Sequence, residues 1–451
     1  METIKRLIAR FSAWEYAGLL MIVLVTLGLH FSVIMTPDEP FGDEQHYIPD
    51  ARLIIDGEGT QRPEHPPVGK LLLVTGIQLF GDNPLGWRFF SVTLGTIGII
   101  FFYLICRRLN LPKRIAFLAT FLIAFENLSF VQAGIAMLDV YSLVFALIAF
   151  WFYLRGNYVM SGVAIALSTL AKLNGALVLL VIGLHWLLAD RVHPRRFLLS
   201  MLSAPASFLM LMPLFDYAIW NEWFNPVAQV EKMLRLSSSI LFSDIDPGIG
   251  SRPWEWIFTY PDVMAVWPYW WTPPYTGVIS PTIWIFIIPV AIYITFKAIK
   301  GNTPVLLPFS WFASTYLIWI PISLITDRVT YVYYFYHTVG AICIGLAIVL
   351  FQLLDIAEAR KTGKFRWMVK LGVPFYLLLH LIAFIIITPL PPLSIVWQDP
   401  PYIITTPESI WWSIPLYLLL YFFTLRFLDL GKNLRPDQLN GNAISQENPV
   451  D

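Results

Sequence analysis

Twelve apolar runs of roughly 16 to 24 residues constrain this 451-residue chain more than any other feature. They fall near 15–36, 86–106, 115–132, 134–154, 157–172, 174–190, 197–219, 281–299, 304–325, 331–354, 368–389 and 410–428. A helix of about 20 residues crosses the hydrocarbon core of a bilayer, and inside lipid a helix satisfies all of its own backbone polar groups. With 57% hydrophobic and only 13% charged residues, a water-soluble domain could not bury what these runs present. The expectation is an all-α integral membrane protein of about twelve transmembrane helices. Its opening, "METIKRLIARFSAWEYAGLLMIVLVTLGLHFSVIM", has the basic start of a signal peptide. The apolar part is nevertheless as long as a full span and has no small-residue cleavage site, so it reads as an uncleaved first helix.

Charge distribution orients the spans. The clusters "KRLIAR", "RRLNLPKR", "RVHPRR", "KAIK", "ARKTGKFRWMVK" and "GKNLRPD" all fall on one side, which the positive-inside rule makes cytoplasmic. Outside lie residues 37–85, residues 220–280 and the short "PLPPLSIVWQDPPYIITTPES", richer in Asp, Glu, Trp and Pro. The tryptophan-rich second segment reads as hugging the membrane. This organisation places residues 1–430 in one polytopic domain of the plasma membrane with both termini cytoplasmic, and 431–451 in a polar, disordered tail. The formal net charge of zero gives no sign of a nucleic-acid partner. Cys106 and Cys343 both sit inside apolar runs and read as packing residues. The oligomeric state is not legible.

Against this background the first outer loop is unusual. "FGDEQHYIPD" and "RPEHPPVGK" place Asp38, Glu39, Asp43, Glu44, His46, Glu64 and His65 around prolines that stiffen the chain. Tyr47, Ala51 and Ile54 stand at helical spacing, which predicts a short interfacial helix over "DEQHYIPDARLII" and a second over "VGKLLLVTGIQLF". Carboxylates held there are suited to general-base work on an acceptor hydroxyl, or to holding a metal or a cationic group. The two prolines after His65 fix where it points, and Lys70 offers a cation to a phosphate one turn later. Glu64 and His65 could join Asp43 around a divalent ion, but spacing fixes no geometry and no metal is assigned. Asp139 lies in "IAMLDVYSLVFALIAF", where a charge at mid-membrane would cost about 2.5–3.5 kcal/mol, so it is expected near the outer end of its helix, bracing the first outer loop. Lys172 and Asn174 mark an outer turn between two spans, and Arg328 beside Asp327 opens a late span on the same face. His30, His185, His193 and His380 receive no function.

"DEQHY", "HPPVGKLL", "GWRFFSVTLGTI" and "ENLSFVQAGIAMLD", in that order, resemble the N-terminal half of the protein O-mannosyltransferase family over roughly residues 35–200. "DRVTYVYYFYHTVGAICIGLA" is similar to the family's late segment of Arg and aromatics. The resemblance implies the GT-C fold and a polyprenyl-phosphate mannose donor. It implies Asp43 as the base, Glu44 as its neighbour, and His46, Tyr47, Glu64 and His65 around donor or acceptor. Among Lys70, Arg88, Lys172 and Arg328, at least one is expected on the donor phosphate. The related aminoarabinose transferases carry "KPP" where this chain has "HPP", which favours the protein mannosyltransferases. One departure is plain: the family reads Ser-Arg before "IAMLD", its Arg being implicated in phosphate recognition, and this chain has Ala133 and Gly134.

The expected function is inverting transfer of a mannosyl or related glycosyl residue to a Ser or Thr hydroxyl of a protein on the outer face. No cofactor is implied, since the phosphate leaves as a stable anion. The family's fungal and animal members carry an extra outer domain not seen here, so a prokaryotic type is expected. A glycosyltransferase acting on a lipid or envelope glycan is the first alternative and a lipid or sugar flippase the second; transporters place their charges at midplane and repeat their halves, and these halves do not match.

Overall fold

A computed structural model describes residues 16–189, 194–245, 250–259, 277–360, 363–388, 390, 394–396, 402–404 and 407–430. The basic start, the tail 431–451 and the tryptophan-rich stretch 260–276 lie outside the described residues. Helix α1 is Ala17–Val33, and after it come the two short helices that the loop spacing predicts, α2 (Glu44–Ile55) and α3 (Pro67–Phe80). Helix α4 (Pro84–Arg108) starts where Pro84 supplies a pre-set φ and the Asn83 side chain accepts from the amides of Leu85 and Gly86 at 3.0 and 3.3 Å. The α3–α4 hairpin closes on glycines: Gly81 turns with φ 89°, and a Cβ on Gly86 would strike the Gly81 carbonyl oxygen.

The run expected over 115–132 is broken. Helices α5 (Lys113–Ala124) and α6 (Asn127–Gly134) meet at a 63° bend. Glu126 explains the restart, because its buried carboxylate accepts from the amides of Leu128 (3.1 Å), Ser129 (2.6 Å) and the distant Ser280 (2.8 Å). Then follow α7 (Leu138–Leu154), α8 (Tyr158–Ala171), a 3-10 turn over Leu173–Ala176, α9 (Leu177–Leu188), α10 (Pro194–Trp220) and α11 (Pro226–Ser237). The second half holds α12 (Glu255–Phe258), α13 (Pro281–Trp284), α14 (Ile287–Ile299), α15 (Thr303–Phe312), a π-helical turn over Ala313–Leu317 and α16 (Trp319–Thr326). A 3-10 turn, Val332–Phe335, leads into α17 (Tyr336–Ala359), followed by α18 (Lys364–Ile387) and α19 (Pro407–Leu428).

Among the described residues, seven helices are long and apolar enough to cross a membrane, or eight if the bent α5–α6 pair is one span. The other apolar helices have 10–17 residues, short of the ~20 of a perpendicular crossing, so length and composition do not carry the count to twelve. The described residues are all-helical apart from one short pairing, Ser394–Val396 antiparallel with Tyr402–Ile404, which helical periodicity could not announce.

Burial separates a centre from a rim. In the Val332–Ala359 span, 72% of the most apolar window is buried, and Gly340 lets Trp311 and Phe102 pack directly on the α17 backbone. The spans at 197–220 and 281–299 are only 17% and 22% buried and present Met210, Ile292 and Ile299 outward. Large apolar side chains exposed in this way fit a lipid surround.

After α11 a strap of described residues, 238–245, meets the Asp327–Thr330 turn. Ser237 Oγ donates to the Glu64 carbonyl at 3.3 Å. Beyond it, Phe242 N donates to Asp327 O at 2.9 Å, Val329 N to Ile240 O at 3.0 Å and Ser251 N to Thr330 O at 2.8 Å.

Candidate active site

Two adjacent carboxylates open α2 and meet different surroundings. Glu44, in its first turn, is fully buried and holds the equally buried Arg88 of α4 in a two-pronged ion pair, Nε to Oε1 and Nη2 to Oε2, both 2.9 Å. The carboxylate also accepts from Ala136 N at 2.8 Å, while Arg88 Nη1 donates to the carbonyls of Ile34 (2.9 Å) and Pro37 (2.8 Å). This one knot joins the end of α1, the start of α2, α4 and the α6–α7 link. All its main valences are used, as a buried ion pair requires.

Asp43, the residue before it, is half-buried and accepts from the Tyr333 hydroxyl at 3.5 Å. Burial lifts its carboxyl above the usual range; Lys172 pulls it back and Asp139 pushes it further up. Lys172, at the turn between α8 and the 3-10 segment, donates to Asp139 Oδ2 at 2.6 Å, with its Nζ 5.2 Å from the ring centres of both Tyr333 and Tyr334. Burial disfavours the Lys172 charge, yet Asp139 outweighs it and the ammonium is held above its ordinary value. Asp139 sits in the first turn of α7 and is fully buried, and its Oδ1 faces His337 Nδ1 across 4.0 Å. On the other side Tyr47 packs edge-on against His65, with Tyr47 Oη 3.5 Å from His65 Nε2. Burial, then the cations Lys172, Lys70, Arg62 and Arg328, push the imidazole well below its ordinary value, so it is neutral at pH 7.

The structure thus gathers Asp43, Tyr47, His65, Asp139 and Lys172, and it separates other expected residues from them. Arg88, one of four cations of which at least one is expected on the donor phosphate, is spent on Glu44 and two carbonyls. Lys70, another of the four, is buried with its ammonium on Thr60 Oγ1 (2.9 Å) and the Arg62 carbonyl (2.7 Å), and Thr60 in turn donates to the Asp50 carboxylate of α2. Its pKa falls to about 8 through burial, against the pull of Asp50 and Glu64. Glu44 itself has both oxygens engaged, by Arg88 and by Ala136 N. Asp139 braces Lys172, whereas the first outer loop is braced by Glu44. His46 is exposed and accepts from Arg62 Nη2 at 2.8 Å, and Glu64 lies 3.8 Å from Arg62 and 3.9 Å from His65. Arg328 is half-buried beneath the strap, with no carboxylate within 4.0 Å among the described residues. At Gly134 a Cβ would lie 3.4 Å from the ring of His30, whose nitrogens each sit 3.0 Å from a carbonyl oxygen, of Thr26 and of Phe130. Sequence reasoning missed Tyr333, Tyr334 and His337; the run "YVYYFYH" was their only signal.

Residues 64–220 match the sequence profile of the family described as dolichyl-phosphate-mannose-protein mannosyltransferase. Over that segment the chain is similar to the protein mannosyltransferases. Polyprenol-phosphate-mannose–protein mannosyltransferase of Mycolicibacterium smegmatis is 32% identical over 148 residues, 31% of this chain and 29% of that one. The protein of the same description in Corynebacterium glutamicum is 28% identical over 160 residues, 33% of this chain and 31% of that one. The matched segments span less than a third of these mannosyltransferases; the profile match takes in Glu64, His65, Lys70, Arg88, Asp139 and Lys172 and stops short of Asp43 and Arg328. The architecture is the membrane GT-C one. It is similar to ArnT from Cupriavidus metallidurans in the apo state (TM-score 0.53, 18% identity, 92% of this chain and 76% of that chain). It is also similar to the oligosaccharyltransferase AglB from Archaeoglobus fulgidus in complex with an inhibitory peptide and a dolichol-phosphate (TM-score 0.54, 14% identity, 82% and 55%).

Proposed function

We propose that the protein transfers a mannosyl or related glycosyl residue from a polyprenyl-phosphate donor to a Ser or Thr hydroxyl of a protein on the outer face of the membrane. The observation that carries this reading is Asp43: a half-buried carboxylate with a raised pKa, one residue from an immobile ion pair, facing a tyrosine hydroxyl and a lysine–aspartate pair. Asp43 takes the proton of the acceptor hydroxyl as its oxygen attacks C1 of the sugar. The bond from C1 to the phosphate oxygen breaks on the opposite face, the polyprenyl phosphate leaves with the electron pair, and the configuration at C1 inverts. The leaving group is already a stable anion, so the reaction needs no nucleotide or redox cofactor.

Of the four cations near which the donor phosphate is expected, Arg88 is held by Glu44 and two carbonyls, and Lys70 is buried with two of its three N–H groups on Thr60 and the Arg62 carbonyl. Arg328 is the phosphate contact in this reading, with Lys172 behind it. The related mannosyltransferases named above support the donor class, and the neutral His65 beside Tyr47 suits a lining for uncharged hydroxyls. Purified protein, polyprenyl-phosphate mannose and a Ser/Thr-rich peptide should give mannosylated peptide, and Asp43→Asn should abolish it. A wild type that turns over no sugar donor, whatever acceptor is offered, sinks the proposal.

A further inference from the structure

Three buried side-chain atoms in one corner of the cluster have no hydrogen-bond partner among the described residues: Asp139 Oδ1 and both ring nitrogens of His337. Asp139 is fully buried and His337 is 6% exposed. Folded proteins rarely leave such groups unmet, and each one calls for an explanation. Oδ1 and Nδ1 face each other across 4.0 Å, too far for a direct hydrogen bond. An oxygen set between them would reach both at roughly 2.8 Å. Asp139 Oδ2 is already taken by Lys172, so the carboxylate can neither turn away nor shift toward the imidazole without breaking a 2.6 Å ion pair.

We propose that Asp139 Oδ1 and His337 form a subsite that grips one hydroxyl of the sugar carried by the donor; the proposal rests on the glycosyl-transfer reading above. A carboxylate oxygen only accepts, whereas a neutral imidazole offers one N–H and one lone pair. A hydroxyl donates and accepts at once, so it gives its proton to Oδ1 while receiving the Nδ1–H bond. A phosphate has no donor for Oδ1 and would be repelled by it, and an apolar group would satisfy neither side. The place fits the role: Asp139 pairs with Lys172 at 2.6 Å, and the charges of both bear on Asp43. The Tyr336 ring lies T-shaped at 5.9 Å from His337, and the rings of Tyr333 and Tyr334 flank the Lys172 ammonium that holds Asp139, so aromatic faces of the kind that suit a sugar lie close by. His337 is then a specificity-determining residue.

The test compares donors. Binding is measured to the full-length Asp43→Asn protein for polyprenyl-phosphate mannose, its four monodeoxy analogues and bare polyprenyl phosphate, and transfer kinetics are measured on the wild type. One deoxy donor should bind and react about tenfold or more worse than the mannosyl donor. In His337→Ala the mannosyl donor should fall to the level of that same deoxy donor, while bare polyprenyl phosphate binds as before; His337→Asn should recover part of the loss. A His337→Ala that weakens every donor by one common factor, bare polyprenyl phosphate included, overturns the subsite. Should neither variant fold, the wild-type series decides alone: five sugar donors handled equally overturn the proposal, and one outlier upholds it. Turnover without any deoxy dependence removes the subsite and keeps glycosyl transfer. Deoxy-dependent binding without turnover does the reverse.

Discussion

Asp43 and Glu44 are one peptide bond apart and have opposite fates. Glu44 is fully buried, meets a guanidinium through two 2.9 Å bonds and has both oxygens used, while Asp43 keeps one long contact to Tyr333 and an elevated proton affinity. The pair teaches that an acidic doublet need not be two copies of one function. The saturated carboxylate immobilises the backbone, and the unsaturated one is thereby presented at a fixed point.

Four measurements would break or sharpen that contrast. The largest effect is expected from Asp43→Asn: transfer should fall by about 10²–10⁴, the usual contribution of a general base, with the thermal midpoint nearly unchanged. Next, Glu44→Gln strands a buried guanidinium and should cost about 3–5 kcal/mol of stability, read as a steep drop in the unfolding midpoint. Joint replacement, Glu44→Leu with Arg88→Met, should recover much of that loss; if Glu44→Gln instead stays stable and loses only turnover, the assignment of roles is wrong. A third test uses pH. Asp43 must be deprotonated to act and its carboxyl is raised, so kcat/KM should fall off on the acid side at a pH above the ordinary carboxylate range. Lys172→Met removes the cation that draws the carboxyl down, so the acid limb should move to higher pH; a limb that stays put or moves lower contradicts the coupling. The smallest effect belongs to Arg52–Asp82, an ion pair at 2.8 Å with both partners over 40% exposed. Asp82→Asn should change stability by less than about 1 kcal/mol and leave transfer alone.

These contrasts also mark what the sequence disclosed. The two helices of the outer loop were legible because Tyr47, Ala51 and Ile54 repeat at helical spacing, and both helices formed where expected. Asp139 and Lys172 were legible as polar interruptions of apolar runs, but their 2.6 Å pairing across 33 residues was not. The partners of Arg88 and Lys70 stayed hidden for one reason. A cation near an outer face looks available until its partners are known, and those partners, Glu44 forty-four positions away and a loop threonine and carbonyl, are fixed only by tertiary packing. Tyr333 lies 290 residues from Asp43 and stood hidden in a run of tyrosines that reads equally well as an interfacial belt. The break at Glu126 escaped because its cap reaches across 154 residues to Ser280.

The strap over the site is sewn to the Asp327–Thr330 turn by main-chain amides and carbonyls, with Ser237 Oγ fastening its near end to the Glu64 carbonyl. A seam of that kind is indifferent to most side-chain identities among residues 238–245. Outward positions there can be exchanged without loosening the turn that carries Arg328.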